Sequence, residues 1–196
     1  MPNVTQDAFD AAFSNAHTAN KFTDQPVDDA TLAAVYEQMK FGPTSMNCQP
    51  MRLVFVKSAE AKALLKPGLS PGNVDKTMAA PVVAIIAFDT RFYDHLPSQF
   101  PPMPAARDMF AGNADLASGT AFRNGTLQGA YFMVAARMCG LACGPMSGFD
   151  PAKVNAAFFP DGRYQANFIV NLGYGDAAGY RPRGPRLACA DVARFA

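Results

Sequence analysis

The sequence is poor in the residues that build metal sites and disulfide frameworks. It has two histidines, His17 and His95, and four cysteines. Only Cys139 and Cys143 lie close together, and their separation is about one turn of a helix rather than that of a C-x-x-C motif. Because structural zinc sites draw their ligands from these residue types, the composition argues against one. We expect most of the cysteines to be buried, reduced thiols.

Charge is also sparse. Charged residues make up 17% of the chain, the formal net charge is +1, and the lysines and arginines form no long run. This argues against nucleic acid as a partner and favours small-molecule chemistry or a protein partner. Residues 1–7 have neither a basic nor an apolar leader pattern, and no later stretch is apolar for long enough to cross a bilayer. We therefore expect a cytoplasmic protein.

The length and the positions of proline and glycine predict one α+β domain over residues 1–196. The chain contains 16 prolines and 15 glycines, which cluster at the ends of periodic segments and would be excessive in a helical bundle. Helices are predicted at 7–16, 28–39, 59–65, 115–141 and 150–157, with Asp28, Ser58 and Asp150 as N-caps. Strands are predicted at 53–56, 81–88 and 168–172. The second strand is apolar almost throughout and should be central in the sheet.

The longest predicted helix, 115–141, should be the spine of the fold. Its predicted buried stripe consists of Phe122, Leu127, Ala130, Tyr131, Val134, Ala135, Met138 and Leu141. Its small residues suit packing against a second subunit, although periodicity fits a helix within one core equally well. Before it, residues 89–113 are rich in Pro, Phe and Met. They are predicted to be an irregular lid over a site or an arm onto a partner.

Three segments concentrate polar groups. The loop at 42–50 lies between a helix and a strand, and a second dense loop covers 143–150. The tail at 181–186 places three arginines in six residues, which suits phosphate binding because a guanidinium is a planar fork of donors. The alternatives are ordinary connecting loops and a solvated tail.

Common catalytic motifs are missing from the sequence. No G-x-G-x-x-G follows a strand, and neither a phosphate-binding G-x-x-x-x-G-K-[ST] nor a G-x-S-x-G is present. Neither histidine has a setting that identifies a general base, and no pair of acids is marked by its context. Polar loops without catalytic side chains favour a reaction that a cofactor carries.

The order of these loops resembles that of the nitroreductase family of flavin enzymes. The matching motifs are Pro-Thr-Ser-Met-Asn-Cys-Gln-Pro at 43–50, Asn-Val-Asp-Lys at 73–76, Gly-Pro-Met-Ser-Gly-Phe at 144–149, Leu-Gly-Tyr-Gly at 172–175 and an arginine-containing tail. The resemblance covers essentially the whole chain. Within the family, the segments 42–45, 121–124, 144–150 and 171–176 are most similar to the malonic semialdehyde reductases of pyrimidine degradation.

The resemblance implies an α/β/α sandwich with an antiparallel-rich central sheet and a long central helix at the interface of a homodimer. It implies two FMN sites at that interface and NAD(P)H as the electron donor, with NADH and NADPH both open. The implied reaction reduces a small aldehyde, malonic semialdehyde, to 3-hydroxypropanoate. Alternatives are a general nitroaromatic or quinone reductase and a non-catalytic flavin-binding protein.

The resemblance also assigns cofactor-binding residues by position and leaves the chemistry to the flavin, with no catalytic side chain and no metal. Those expected at the FMN phosphate are His17, Thr18, Asn20, Arg183 and Arg186. Those expected along the flavin and ribityl chain are Pro43, Thr44, Ser45 and Asn47. Those expected at the pyrimidine edge and at N5 are Asn73, Lys76, Pro145, Ser147 and Gly148. A lysine ammonium near the pyrimidine would stabilise the negative charge of reduced flavin.

One segment departs from the family pattern. Many members have an arginine in the N-terminal segment, where this chain has His17, Thr18, Ala19 and Asn20. We therefore expect this segment to bind the FMN phosphate more weakly, and the pH dependence of FMN binding to report on His17.

Overall fold

The computed structural model describes residues 4–196, and residues 1–3 of the predicted domain lie outside the described residues. The helices are α1 (Gln6–Phe9), α2 (Asp29–Met39), α3 (Ala59–Leu65), α4 (Val74–Ala79), α5 (Leu96–Gln99), α6 (Ala106–Ala111), α7 (Ala114–Met138), α8 (Pro151–Phe158) and α9 (Cys189–Val192). The strands are β1 (Met51–Val56), β2 (Val82–Asp89), β3 (Ala142–Met146) and β4 (Tyr164–Gly173). The α+β class is confirmed.

The four strands form one antiparallel sheet in the order β1-β2-β4-β3. All eight residues of β2 are buried, which confirms the predicted central strand. Because side chains alternate along a strand, β2 contributes to a different core on each face. Val82, Ala84 and Ile86 pack with residues of α2 and α7, whereas Val83, Ile85 and Ala87 pack with residues of α3 and α8. Helices therefore cover both faces, as predicted.

Three predicted N-caps are present. The Asp28 carboxylate accepts a hydrogen bond from the Thr31 backbone N–H at 2.7 Å, and these contacts with Thr31 lower the pKa of Asp28. The Ser58 hydroxyl accepts from the Ala61 N–H at 3.1 Å. Asp150 accepts from two backbone N–H groups at the start of α8. Short polar side chains thus satisfy donors that have no partner within the helix.

Two segments differ from the predicted secondary structure. The first helix ends early: α1 stops at Phe9 and a π-helical turn follows at Asp10–Ser14. Ala12 is the one buried residue of these two elements, so little packing stabilises a longer regular helix. The loop predicted at 143–150 begins with strand β3. This strand tolerates Gly144 and Pro145 because it lies at the edge of the sheet.

The segment 89–113 is not irregular. It contains a 3₁₀ turn at Phe92–His95 followed by α5 and α6. Its apolar side chains form a third core cluster in which Phe92 and Leu96 are completely buried, and the rings of Phe92 and Phe110 meet edge to face at a centroid distance of 5.0 Å. The abundance of Phe, Pro and Met therefore reflects packing. Its role as a lid or arm stays a prediction.

The last residue of β2, Asp89, is a buried carboxylate. Asp89 is 0% exposed and accepts hydrogen bonds from Arg52 at 2.8 Å and from two guanidinium nitrogens of Arg163 at 3.1 and 3.0 Å. The hydrogen bond to Asp89 raises the pKa of Arg163. A buried charge is tolerated only with partners. The partners of Asp89 come from β1 and from the residue before β4, so the network also joins these strands to β2.

The long helix exists, but its buried face agrees with the predicted stripe only in part, at Ala135 and, just beyond the end of the helix, at Leu141. Of the predicted stripe, Phe122 and Met138 are 53% and 58% exposed. The residues of α7 that are buried are Ala117, Ala121, Asn124, Gly125, Gln128, Gly129, Phe132, Ala135 and Ala136. The reason is the close approach of α7 to the sheet at Gly125 and Gly129, where an added side chain would overlap Phe88 or Phe168, although Phe132 is fully buried further along the helix. A Cβ added at Gly129 would lie 2.5 Å from the ring of Phe168 and 3.1 Å from Ile86.

Two glycines on α7 provide a matched test of this packing. We expect Gly129→Ala to destabilise the fold by about 1–3 kcal/mol, because the added methyl group overlaps the sheet. A Cβ at Gly119 meets nothing within 4 Å, so Gly119→Ala should leave stability unchanged or raise it by up to about 1 kcal/mol through helix propensity. Urea unfolding of both variants measures the difference. Equal effects of the two substitutions would contradict the close packing.

Candidate functional site

An arginine-rich cavity of about 640 Å³ lies between the N-terminal segment and the C-terminal tail. Its polar lining side chains are Ser14, His17, Thr18, Asn20, Arg137, Arg181, Arg183 and Arg186. All five residues predicted at the phosphate end are therefore together. Of the described residues that line the cavity, four are arginines and none is acidic, so the cavity suits an anion.

Strand β3 holds the N-terminal side of the cavity. Thr18 forms a parallel bridge with Cys143, and the Ala19 N–H donates to the Cys143 carbonyl at 2.9 Å. A Cβ at Gly144 would lie 2.4 Å from the Ala19 carbonyl oxygen, so only glycine permits this approach. The side-chain amide of Asn20 donates to the Gly179 carbonyl at 3.2 Å. Asn20 thus connects the segment to the turn that precedes the tail.

Arg183 connects the tail to the other side of the cavity. Its Nη2 donates to the backbone carbonyls of Ser14 and, at 3.1 Å, Ala16, and it lies 3.4 Å from His17 Nε2. Arg186 Nη1 donates to the carbonyls of Gly184 and Pro185 within the tail. Both arginines predicted at the phosphate end also hold the backbone of the tail in place.

A second group of predicted residues meets at the other end of β3. The side-chain amide of Asn73, at the start of α4, donates to the Gly148 carbonyl at 2.8 Å. A Cβ at Gly148 would lie 2.6 Å from that amide nitrogen. Lys76 follows on α4, while Pro145 lies within β3 and Ser147 directly after it. Since β3 rises about 3.3 Å per residue, the step from Cys143 to Ser147 spans about 13 Å. The strand thus connects the cavity to the Asn73 group.

The loop at 43–49 is held against α5 and α7. The Ser45 N–H donates to the Asn124 carbonyl oxygen of α7 at 2.8 Å, and the Asn47 amide donates to the Gln99 carbonyl at 2.8 Å. Met46, Asn47 and Gln49 have positive φ angles, which are costly for residues other than glycine. The hydrogen bonds described for residues 4–196 do not join this loop to the other two groups. Within one chain, the third predicted group is therefore held in place independently of the other two.

Buried thiols lie beside two parts of the site. Burial raises the pKa of both Cys48 and Cys143 to about 11, so both are unreactive thiols near neutral pH. Cys139 is partly buried and Cys189 is exposed, and all four cysteines are free. The prediction of buried thiols holds for two of them. Within residues 4–196, no group of three or more His, Cys, Asp or Glu side chains could hold a metal ion.

Comparison with known proteins identifies the family. The profile of the nitroreductase family matches residues 14–174. The chain belongs to the nitroreductase family. A Burkholderia lata protein with the provisional name NADH dehydrogenase/NAD(P)H nitroreductase is 56% identical over 195 residues and covers 100% of both chains. A similarly named protein of Cupriavidus pinatubonensis is 50% identical over 194 residues, covering 98% of this chain and 99% of its own.

Solved structures of nitroreductases share the fold. A provisionally named nitroreductase from Exiguobacterium sibiricum, solved in complex with FMN, superposes with a TM-score of 0.86 at 20% identity and covers 100% of both chains. The Bacillus subtilis protein ydfN gives a TM-score of 0.84 at 18% identity, covering 98% of this chain and 100% of its own. At these identities the likeness shows the nitroreductase fold alone. In the part of the chain that is described, no helix is both long and apolar enough to span a membrane.

Several residues that shape this nitroreductase-family site were not anticipated. Arg137 lines the cavity, although it belongs to no motif. Asn124 and Gln128 lie on the buried face of α7, and the Gln128 carbonyl oxygen accepts from the Met51 N–H at 2.9 Å. Two amides spaced four residues apart in a row of small residues are the sequence signal that was available.

Proposed function

We propose that this chain is an FMN-dependent NAD(P)H oxidoreductase. The observation that carries the proposal is the arginine-lined cavity, which β3 connects to the Asn73–Gly148 contact. An extended molecule with a phosphate at one end and a polar heterocycle at the other fits this arrangement. The FMN complex of the Exiguobacterium sibiricum protein supports the cofactor. The names of the relatives support NAD(P)H as the electron donor.

The cavity would hold the phosphate of FMN. His17, Thr18 and Asn20 would contribute from the N-terminal side, and Arg183 and Arg186 from the tail. At the other end, Lys76 would place its ammonium group near the pyrimidine edge and favour negative charge there. Asn73 would face the same edge while its amide fixes the Gly148 carbonyl. Pro145 would lie between the two ends, and Ser147 and Gly148 would present backbone N–H groups towards N5.

When bound, FMN would supply the redox chemistry of hydride transfer from NAD(P)H to an acceptor, by way of its N5 atom. The protein supplies binding, orientation and electrostatics, and no side chain is required as an acid or a base. The buried, high-pKa thiol of Cys48 is not assigned a role in the reaction.

A second copy of the chain would complete the site. Pro43, Thr44, Ser45 and Asn47 lie on the loop that is bound to α5 and α7, and we propose that they contact the flavin held by the partner subunit. The outer face of α7 is apolar: Phe122, Leu127 and Met138 are 53%, 40% and 58% exposed. A mainly apolar groove of about 660 Å³ is lined by residues of α2 and α7 and by Phe13, Gly42 and Cys139. Exposed large apolar side chains beside an apolar groove are typical of an interface, which supports a homodimer.

For the acceptor we propose malonic semialdehyde, which would be reduced to 3-hydroxypropanoate. The support is the similarity of segments 42–45, 121–124, 144–150 and 171–176 to the malonic semialdehyde reductases. The second candidate is a nitroaromatic or quinone acceptor, and the word nitroreductase in the names of the relatives favours the nitroaromatic.

The function is tested by the absorbance spectrum of the purified protein under anaerobic conditions. We expect a yellow protein, or one that becomes yellow with FMN, that bleaches on addition of NADH or NADPH and regains its colour with an acceptor. A colourless protein that FMN cannot reconstitute would remove the flavin assignment. A bound flavin that neither nucleotide bleaches would indicate a flavin-binding protein without turnover.

The acceptor is tested by steady-state kinetics with NAD(P)H held constant. We expect kcat/KM for malonic semialdehyde to exceed the values for a nitroaromatic and for a quinone. A larger kcat/KM for either of the aromatic acceptors would reject the aldehyde and favour the second candidate. The same enzyme preparation and flavin content serve for all three acceptors.

Gly148 and Gly72 provide a matched test of the flavin end. Gly148→Ala places a methyl group 2.6 Å from the Asn73 amide nitrogen, so the hydrogen bond to Gly148 is lost and Asn73 moves. We expect FMN to bind about 3- to 10-fold more weakly, the effect of one hydrogen bond. A Cβ at Gly72 meets nothing within 4 Å, so Gly72→Ala should bind FMN as the wild type does. Fluorescence titration gives both values, and unchanged affinity in Gly148→Ala would argue against the assignment of Asn73.

A further inference from the structure

Arg137 lies in the last turn of α7, and its side chain lines the arginine-rich cavity. It lines the cavity together with His17 and Thr18. It also lines a smaller cavity of about 180 Å³ that includes Cys143 and Tyr180. Its side chain therefore forms part of the wall between the two cavities. The guanidinium is close enough to Cys143 to oppose the rise in the pKa of that thiol that burial causes.

The hydrogen bonds of Arg137 are incomplete. Its Nη1 donates to the Ala12 carbonyl at 3.0 Å, whereas its Nε is buried and has no hydrogen-bond partner among the described residues. No Asp or Glu of the described chain lines either cavity. A partly buried guanidinium without a counter-ion is costly, because its charge is neither fully hydrated nor neutralised. A bound anion would remove that cost.

The backbone of Arg137 is also the most firmly held of the four cavity arginines. Arg181, Arg183 and Arg186 belong to a tail without regular secondary structure, and all three are exposed. Arg137 belongs to a 25-residue helix that packs against the sheet. A charge mounted on a regular element is positioned more accurately than one on a loop or tail.

Resting on the proposed function, we infer that Arg137 binds the phosphate of FMN. Many family members have an arginine in the N-terminal segment, where this chain has His17 and Thr18. Arg137 supplies the missing cation from α7. The phosphate is thus held between the fixed guanidinium of α7 and the arginines of the tail. The other role open to Arg137 is a purely structural one, in which it only fixes the Ala12 carbonyl.

Comparison of FMN with riboflavin separates these two roles, because riboflavin has the same ring and ribityl chain but no phosphate. The variants are Arg137→Met, which keeps most of the apolar stem, and Arg137→Lys, which keeps the charge but not the fork of donors. Arg107→Met is the matched control, since Arg107 is an exposed arginine of α6 that pairs with Asp94 and Asp108. Each apoprotein is titrated with each flavin by fluorescence, at low and at high salt.

We expect Arg137→Met to bind FMN at least about 10-fold more weakly, the effect of losing a charged hydrogen bond, and to bind riboflavin as the wild type does. Its FMN affinity should also depend less steeply on salt. Arg137→Lys should show a smaller loss for FMN alone, and it keeps the test decisive if the Met variant does not fold. Arg107→Met should bind both flavins normally.

Equal weakening of FMN and riboflavin in both Arg137 variants would overturn the inference in favour of the structural role. Unchanged FMN affinity in Arg137→Met, with wild-type protein that binds FMN, would overturn the inference and leave the proposed function intact. Wild-type protein that binds neither flavin would reject the proposed function, and the inference with it.

Discussion

The close approach of α7 to strands β2 and β4 is the constraint on which the rest of the structure depends. It leaves no room for larger side chains at Gly125 and Gly129, and the rest of the buried face consists of alanines, Phe132 and two amides, Asn124 and Gln128. Those amides bind the Ser45 and Met51 backbone, so the helix that closes the core also fixes the loop proposed to contact flavin. Phe122, Leu127 and Met138 of α7 are left exposed, where the second subunit is proposed to bind.

This constraint also explains which parts of the fold were predictable. Asp28, Ser58 and Asp150 act within a few residues, so their capping roles could be deduced locally. The central position of β2 could be predicted because the residues on both of its faces are apolar. The inner face of α7 could not be deduced, since hydrophobicity favours Phe122 and Met138, and only the tertiary distance excludes them. Strand β3 was missed because pairing with β4 outweighs the poor strand propensity of Gly144 and Pro145.

The candidate site shows a similar division. The family resemblance assigned His17, Thr18, Asn20, Arg183 and Arg186 to one end of the ligand, and Asn73 and Gly148 to the other. The structure brings the first five together around one cavity and places Asn73 in contact with Gly148. Arg137 could not be predicted, because nothing in the helix pattern marks one arginine as the residue that reaches a cavity formed by the chain ends. The separation of the 43–49 loop from the other groups also depends on tertiary structure alone.

The strand order has a consequence for how the chain folds during synthesis. Val82 pairs with Leu172, and β3, which supports the N-terminal segment through Cys143, has β4 as its strand neighbour in the sheet. Long-range pairings form late, because they require closure of long loops. The central sheet can therefore close only after β4 has left the ribosome, and the arginines of the tail follow later still. The cavity proposed for the phosphate is thus completed last, after the core that supports it.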